Sequence, residues 1–472
     1  MRSVVLLIFL CLPAYLCGQD ARTGKAPTPH QVVAIVGGRL VDVAKGTETD
    51  KTTVLVVDGR IRAVGREGEV AIPSEAKVVD AHSKWLIPGL TDMHVHIGQW
   101  RVFNPQLYLA SPPLYLASGV TTVRDTGGDV AILRLLDQDI RSGKTVGPRL
   151  YFAGPVLDGN PPVNQVGGSI LADSEQRAVS AVNFLADQGA SFIKVYNNIT
   201  EAVLIATLKA AHARGLPVTG HVPRVITTTR AIELGMDCLE HIRITGRELL
   251  PKEEADKIDF LTLGRRETLL WQRFDVDSAA MNKVVNLIAQ RHVFLDPTLV
   301  IDQVTFSLTP EERASEPNNQ MLPRDLLERM RTNGLPGSWR PPAELRDVAA
   351  AGFEKRLSFI RMCYRAGVRL IAGTDGPGLG PILPGFGLHS EMELLVTAGL
   401  TPLDALRAAT STAAEALRAD KDLGTIEPGK LADLVILDAD PLQNISNARR
   451  IYRVLKNGQI YDPQELLANR AR

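Results

Sequence analysis

Short apolar segments alternate with helical stretches through the middle of this chain, and that alternation narrows its fold more than any other feature. Eight segments stand out: Leu90–Met93, Val120–Arg124, Leu150–Ala153, Phe192–Tyr196, Pro217–Gly220, Cys238–Glu240, Val293–Leu295 and Val368–Gly373. Helical patterns such as Ser174–Gln188 and Glu201–Arg214 lie between them. Consecutive parallel strands need a long crossover, usually a helix, so this alternation predicts βα units around a parallel sheet. Eight units suffice to close a (β/α)8 barrel of the TIM type, in which functional groups gather at the C-terminal ends of the strands.

Both ends of the chain read differently. Val32–Val36, Thr53–Val57 and Arg60–Val64 are short β-patterned runs, the last two joined by the turn residues Asp58-Gly59. Val78–Leu86 is another such run, and Ala432–Asp438, Ile451–Leu455 and Gln459–Tyr461 repeat the texture, with Asn457-Gly458 as a second tight turn. The expected class is therefore α/β, with residues 28–88 and 424–466 forming one small β-sandwich domain. The (β/α)8 barrel, residues 89–423, is inserted between its halves. Two connections, Thr245–Met281 and Leu299–Leu345, are longer than a βα unit requires. They are placed to overhang the barrel mouth as a lid.

Met1-Arg2 followed by the apolar run Ser3–Ala14 reads as an export signal over residues 1–20, too short for a membrane span. The expected location is periplasmic or extracellular, with Cys17 a candidate for lipid anchoring. Cys238 and Cys363 stand isolated in apolar surroundings and form no disulfide framework. Lys plus Arg and Asp plus Glu balance at 53 each, and no basic cluster with interleaved aromatics appears. Nucleic acid is not an expected partner.

The polar residues at the strand ends carry the chemistry. The first barrel strand runs into His94-Val95-His96, whose alternation points both imidazoles the same way. The fourth carries Lys194 and Tyr196 on one face. The fifth ends at His221, the sixth at Glu240-His241 and the eighth at Thr374-Asp375. Five strands thus deliver metal-competent groups to one end of the barrel. Arg124, Asp125 and His389 are further polar candidates, for substrate contact or for supporting roles.

The ordered set His-x-His, Lys, His, His, Asp resembles the amidohydrolase superfamily. Gly119–Asp125, Leu423–Val435 and Glu391–Pro402 extend the resemblance over nearly the whole mature chain. Within the superfamily the chain is most similar to the imidazolonepropionase-related group that includes metal-dependent Xaa-Pro dipeptidases. The resemblance implies two divalent metal ions, with zinc the expected species. His94 and His96 would hold one ion and His221 and His241 the other, with Asp375 completing the first site. Lys194, carboxylated by CO2 to a carbamate, would bridge them. It further implies hydrolysis of an amide (C–N) bond in a dipeptide or N-acyl amino acid, with Asp375 as proton acceptor and donor. Tyr196 either hydrogen-bonds an oxyanion or simply packs.

The expected substrate is a small molecule with a carboxylate, and association into a homo-oligomer is open. Cyclic amides, lactones and organophosphate esters are alternative electrophiles for the same centre. A non-catalytic binding protein on this fold is the remaining alternative.

Overall fold

The computed structural model describes residues 31–99, 105–162, 168–259, 261–315, 339–376 and 382–468, with Asn319, Arg324 and Glu328. The export signal and Cys17 lie outside the described residues, as does most of the Pro-rich part of the second long connection.

Strands from both chain ends share one sheet. Its N-terminal members are β1 (Val32–Asp42), β2 (Thr47–Val57), β3 (Arg60–Arg66), β4 (Lys77–Asp80) and β5 (Trp85–Pro88). β1 and β2 run further than the apolar patterning indicates, because their polar continuation stays paired, Val41 with Glu48 and Asp42 with Thr47. Asp58 and Gly59 have positive φ of 48° and 80°, the geometry of the tight hairpin that Asp-Gly favours. β5 pairs antiparallel with a C-terminal strand, residues Leu434–Leu437, with Leu86 opposite Ile436. β1 is irregular between Ile35 and Leu40, and on one edge it pairs first with β4 and then with β5. Its two halves thereby fold over a common core. Val33, Ile35, Val54 and Ile61 meet Leu86, Leu434, Ile436 and Leu455 there.

Gly89 is the junction between this sandwich and the barrel. Its N–H donates to the Asp433 carbonyl at 2.9 Å, and a Cβ there would collide with the Thr121 side chain. The barrel follows as β6 (Leu90–Val95), β7 (Val120–Asp125), β8 (Arg149–Phe152), β9 (Val156–Asp158), β10 (Ser169–Leu171), β11 (Ile193–Val195), β12 (Val218–Gly220), β13 (Cys238–Glu240), β14 (Phe294–Asp296) and β15 (Arg369–Leu370). The third barrel strand is β8 continued by β9. β8 pairs with β7 and β9 with β11, while β10 is an extra edge strand on β9. β11 to β15 pair in sequence, all parallel.

Closure comes from the eighth strand returning to the first. Met93 N–H donates to the Ala372 carbonyl at 2.9 Å and His96 N–H to the Gly376 carbonyl at 3.0 Å. The expected (β/α)8 barrel with an appended β-sandwich is therefore the observed architecture.

The helices bury one stripe each against the barrel. Glu175–Asp187 turns Ala178, Ala181, Val182 and Leu185 inward, the i, i+3, i+4, i+7 spacing of an amphipathic helix, and Ser174 caps it by accepting from Arg177 N–H. Residues 245–281 are largely helical. Helix Leu263–Arg273 packs on helix Arg346–Arg365, with the Arg356 guanidinium lying 4.9 Å from Trp271 and 4.5 Å from Phe306 ring centroids. Both long connections thus meet beside the mouth at the C-terminal ends of β13 and β14. No helix among the described residues is long and apolar enough to cross a membrane.

Candidate metal centre

The six residues singled out as metal ligands come together at the C-terminal end of the barrel. His94 and His96 leave β6 on one side, with Nε2 atoms 3.4 and 3.0 Å from Asp375 Oδ1. The His94 ring lies 4.9 Å from that of His241, which lies 4.8 Å from that of His221. Lys194 is buried and its Nζ contacts Glu240 Oε2. Tyr196 stacks on His221 with ring centroids 4.2 Å apart.

Local backbone geometry aims these side chains. Strand alternation alone would send Glu240 and His241 to opposite faces. His241 instead adopts φ of 60°, so both reach the barrel interior. Asp375 likewise sits at φ of 56°. Gly220 precedes His221 at φ of 140°, where any Cβ would strike the Val195 carbonyl. That close approach lets β11 and β12 present Lys194 and His221 side by side.

Each of the four clustered imidazoles has its Nδ1 tied. His94 Nδ1 donates to Asp296 Oδ2 (3.2 Å) and His96 Nδ1 to the Gly127 carbonyl (3.0 Å). His221 Nδ1 donates to Asn197 Oδ1 (3.0 Å) and His241 Nδ1 to Thr298 Oγ1 (2.7 Å). The Thr298 hydroxyl gives its own proton to the Pro297 carbonyl (2.8 Å), which leaves it an acceptor for His241. Nδ1 protonation places the lone pair on Nε2, the arrangement that outer hydrogen bonds impose on metal-binding histidines.

Three of the four imidazoles have charge states that agree with that arrangement; burial lowers His96 too, but the hydrogen bond and charge of Asp375 outweigh it and raise the group above the usual imidazole range. Burial drives His94, His221 and His241 well below the usual imidazole range, so they are neutral, as ligands must be. Burial also raises the Asp375 carboxyl, but the hydrogen bond and charge of His96 at 3.0 Å outweigh it and hold the group well below the usual carboxylate range. Burial lowers the Lys194 ammonium to about 7, against opposition from Asp375.

His94 Nε2 is buried with no hydrogen-bond partner. An orphaned acceptor in so polar a cluster is what a cation would satisfy. Among the described residues, two groups are compact enough to hold an ion: His94, His96 and Asp375, and His94, Glu240 and His241. The donor set of imidazole nitrogens and carboxylate oxygens suits zinc and its first-row neighbours.

Four supporting residues carried no pattern in the sequence. Glu240, Asp296, Asn197 and Thr298 act through partners on other strands. The acid ending Leu295-Asp296 one residue beyond the apolar run was the available signal. Arg124 lies inside the barrel, donating to the Met93 carbonyl (2.6 Å), Asp296 (3.1 Å) and Glu240 (3.3 Å). Asp125 accepts from the Gly98 and Gly127 N–H groups and braces the loop after His96. His389 donates to the Ser118 carbonyl, outside this cluster.

The profile of the amidohydrolase family matches residues 85–461, the whole barrel and the C-terminal strands. The chain belongs to the amidohydrolase family. It is 28% identical over 196 residues to a dihydroorotase of Anaeromyxobacter dehalogenans (strain 2CP-C), a match covering 40% of this chain and 41% of that one. This chain thus spans less than half the length of that relative. Among solved structures it is similar to a Xaa-Pro dipeptidase with methionine bound in the active site, at a TM-score of 0.68 and 22% identity. That alignment covers 92% of this chain and 100% of the other. The ochratoxinase of A. niger aligns with a TM-score of 0.66 and 19% identity, over 92% and 96% of the two chains. At these identities the likeness speaks for the fold.

Proposed function

We propose that this amidohydrolase is a metal-dependent hydrolase that cleaves the amide bond of a dipeptide or N-acyl amino acid. The observation that carries the reading is the convergence of four histidines with tied Nδ1 atoms, ionised Asp375 and buried Lys194 on one space. His94, His96 and Asp375 would hold one divalent ion, and His221 and His241 a second. The Lys194 amine, lowered to about 7 by burial, would add CO2 with loss of a proton and supply carbamate oxygens as ligands. When bound, the ions would supply a water acidified to near neutrality and a Lewis acid for the carbonyl oxygen.

The remaining chemistry belongs to the chain. Asp375 Oδ1 is ionised and takes the proton released as water attacks the carbonyl, then returns it to the leaving nitrogen. Tyr196 keeps its phenol proton, since burial raises it to about 12, and donates it as a hydrogen bond to the developing oxyanion. The helices of residues 245–281 limit water at the mouth. Similarity to a Xaa-Pro dipeptidase supports a substrate with a free carboxylate.

The test is release of free amine from a panel of dipeptides and N-acyl amino acids, before and after chelation and metal return. Turnover that chelation abolishes and metal restores supports the reading. A protein that hydrolyses none of the panel with metal bound removes it.

A further inference from the structure

The barrel is hollow at the end opposite the metal centre. A cavity of about 320 Å3 opens there, at the N-terminal ends of the strands. Pro217, Asp237 and Val293 line it, each one residue before β12, β13 or β14, and the exposed Glu233 and Arg291 stand at its rim. Its buried inner wall includes Phe192, Thr219, Cys238 and Arg124.

Arg124 stands between this cavity and the metal centre. Its Nε donates to the Met93 carbonyl (2.6 Å), and its Nη2 donates to Asp296 Oδ2 (3.1 Å) and Glu240 Oε1 (3.3 Å). The guanidinium also lies 5.1 Å from the Phe192 ring centroid. Glu240 and Asp296 are register partners on β13 and β14, and both are buried, so two carboxylates stand side by side away from water. Such a pair is unfavourable unless a cation joins it. Lys194 also touches Glu240, but as a carbamate it would carry no positive charge. Among the described residues, Arg124 is then the one permanent cation in contact with either acid.

Each acid reaches the metal centre through another residue. Asp296 Oδ2, the oxygen that Arg124 holds, also accepts from His94 Nδ1 at 3.2 Å. Glu240 Oε1 accepts from Arg124 and from the Thr219 hydroxyl (2.8 Å), which leaves Oε2 facing Lys194. We propose that Arg124 is a positioning residue of the metal centre: it fixes Asp296 and Glu240, and through them sets the orientation of His94 and Lys194. This rests on the metal-centre reading and assigns the residue that balances its buried acids. A planar guanidinium fork serves two carboxylates and a carbonyl in fixed directions, whereas a lysine ammonium is a point charge without them. Removing the fork would leave both acids buried without their shared partner.

The test is zinc affinity, measured by competition with a chromogenic chelator on protein stripped of metal, with circular dichroism to follow the fold. Arg124→Met should weaken zinc binding roughly 10- to 100-fold, the span for losing a partner behind a metal ligand. Arg124→Lys should recover part of that loss. Arg124→Ala joins the cavity to the two carboxylates, so guanidinium ion at low millimolar concentration should restore much of the affinity. Urea, similar in shape but uncharged, should not. Wild-type zinc affinity in Arg124→Met overturns the role. Equal rescue of Arg124→Ala by urea and guanidinium, or no rescue by guanidinium, also overturns it. Where the Met and Ala variants do not fold, Arg124→Lys decides: a partial loss of affinity upholds the role and wild-type affinity overturns it. A wild type that binds no zinc removes the metal-centre reading itself, and the role with it.

Discussion

Thr298→Val isolates what an outer hydrogen bond contributes to the metal centre. Among the described residues, Thr298 Oγ1 is the one acceptor for His241 Nδ1, at 2.7 Å, and both residues are buried. Valine keeps the volume and the β-branch, so it inherits the left-handed backbone of Thr298, φ of 47°, and only the hydroxyl is lost. A buried N–H left without an acceptor costs about 1–3 kcal/mol. The ring is then free to turn or to change tautomer, which moves the Nε2 lone pair away from the ion. Loss of such a partner lowers metal affinity roughly 10- to 100-fold, equivalent to about 1.4–2.8 kcal/mol, and the two figures agree. Competition with a chromogenic chelator measures the affinity, and denaturant unfolding of the metal-free protein measures the stability. Thr298→Ser, which keeps the hydroxyl, should bind metal nearly as the wild type does. Wild-type affinity in Thr298→Val would refute the claim that this hydrogen bond orients His241.

Tyr196→Phe keeps the stacking on His221 and removes only the hydroxyl, so kcat should fall about 100-fold or more with metal content unchanged; an unaltered kcat makes Tyr196 a packing residue. Burial lowers Lys456 from 10.5 to about 8 against the pull of Asp433. The folded form therefore sheds its proton first, the unfolded chain binds more protons between about pH 8 and 10.5, and stability rises with pH across that window. Lys456→Met should flatten this rise in denaturant titrations, and an unchanged slope assigns it to other groups. Gly264→Ala would push a Cβ into the Arg340 carbonyl. It should destabilise by about 1–3 kcal/mol and speed proteolysis within residues 299–345. Unchanged digestion would mean that this contact does not anchor the connection.

Much of the centre was legible because strand alternation is a strict rule. His94 and His96 share a face by spacing alone, His221, His241 and Asp375 follow the ends of short apolar runs, and Lys194 interrupts one. The turns at Asp58-Gly59 and Asn457-Gly458 were legible for a similar reason, since few residue pairs accept positive φ twice in succession. Glu240 was hidden because alternation opposes it to His241, and only the positive φ of His241 brings both inward. Thr298 and Asn197 lie past the ends of their strands, where no periodicity applies. Their value comes from histidines distant in sequence.

The central claim is a metal centre built on Lys194, and metal content per chain tests it most directly. Elemental analysis of protein loaded with zinc and bicarbonate should find about two ions per chain in the wild type, and a large loss in Lys194→Ala. Short carboxylates should partly restore both metal and amine release. Full metal occupancy in Lys194→Ala, or a wild-type protein that retains no metal, would contradict the account.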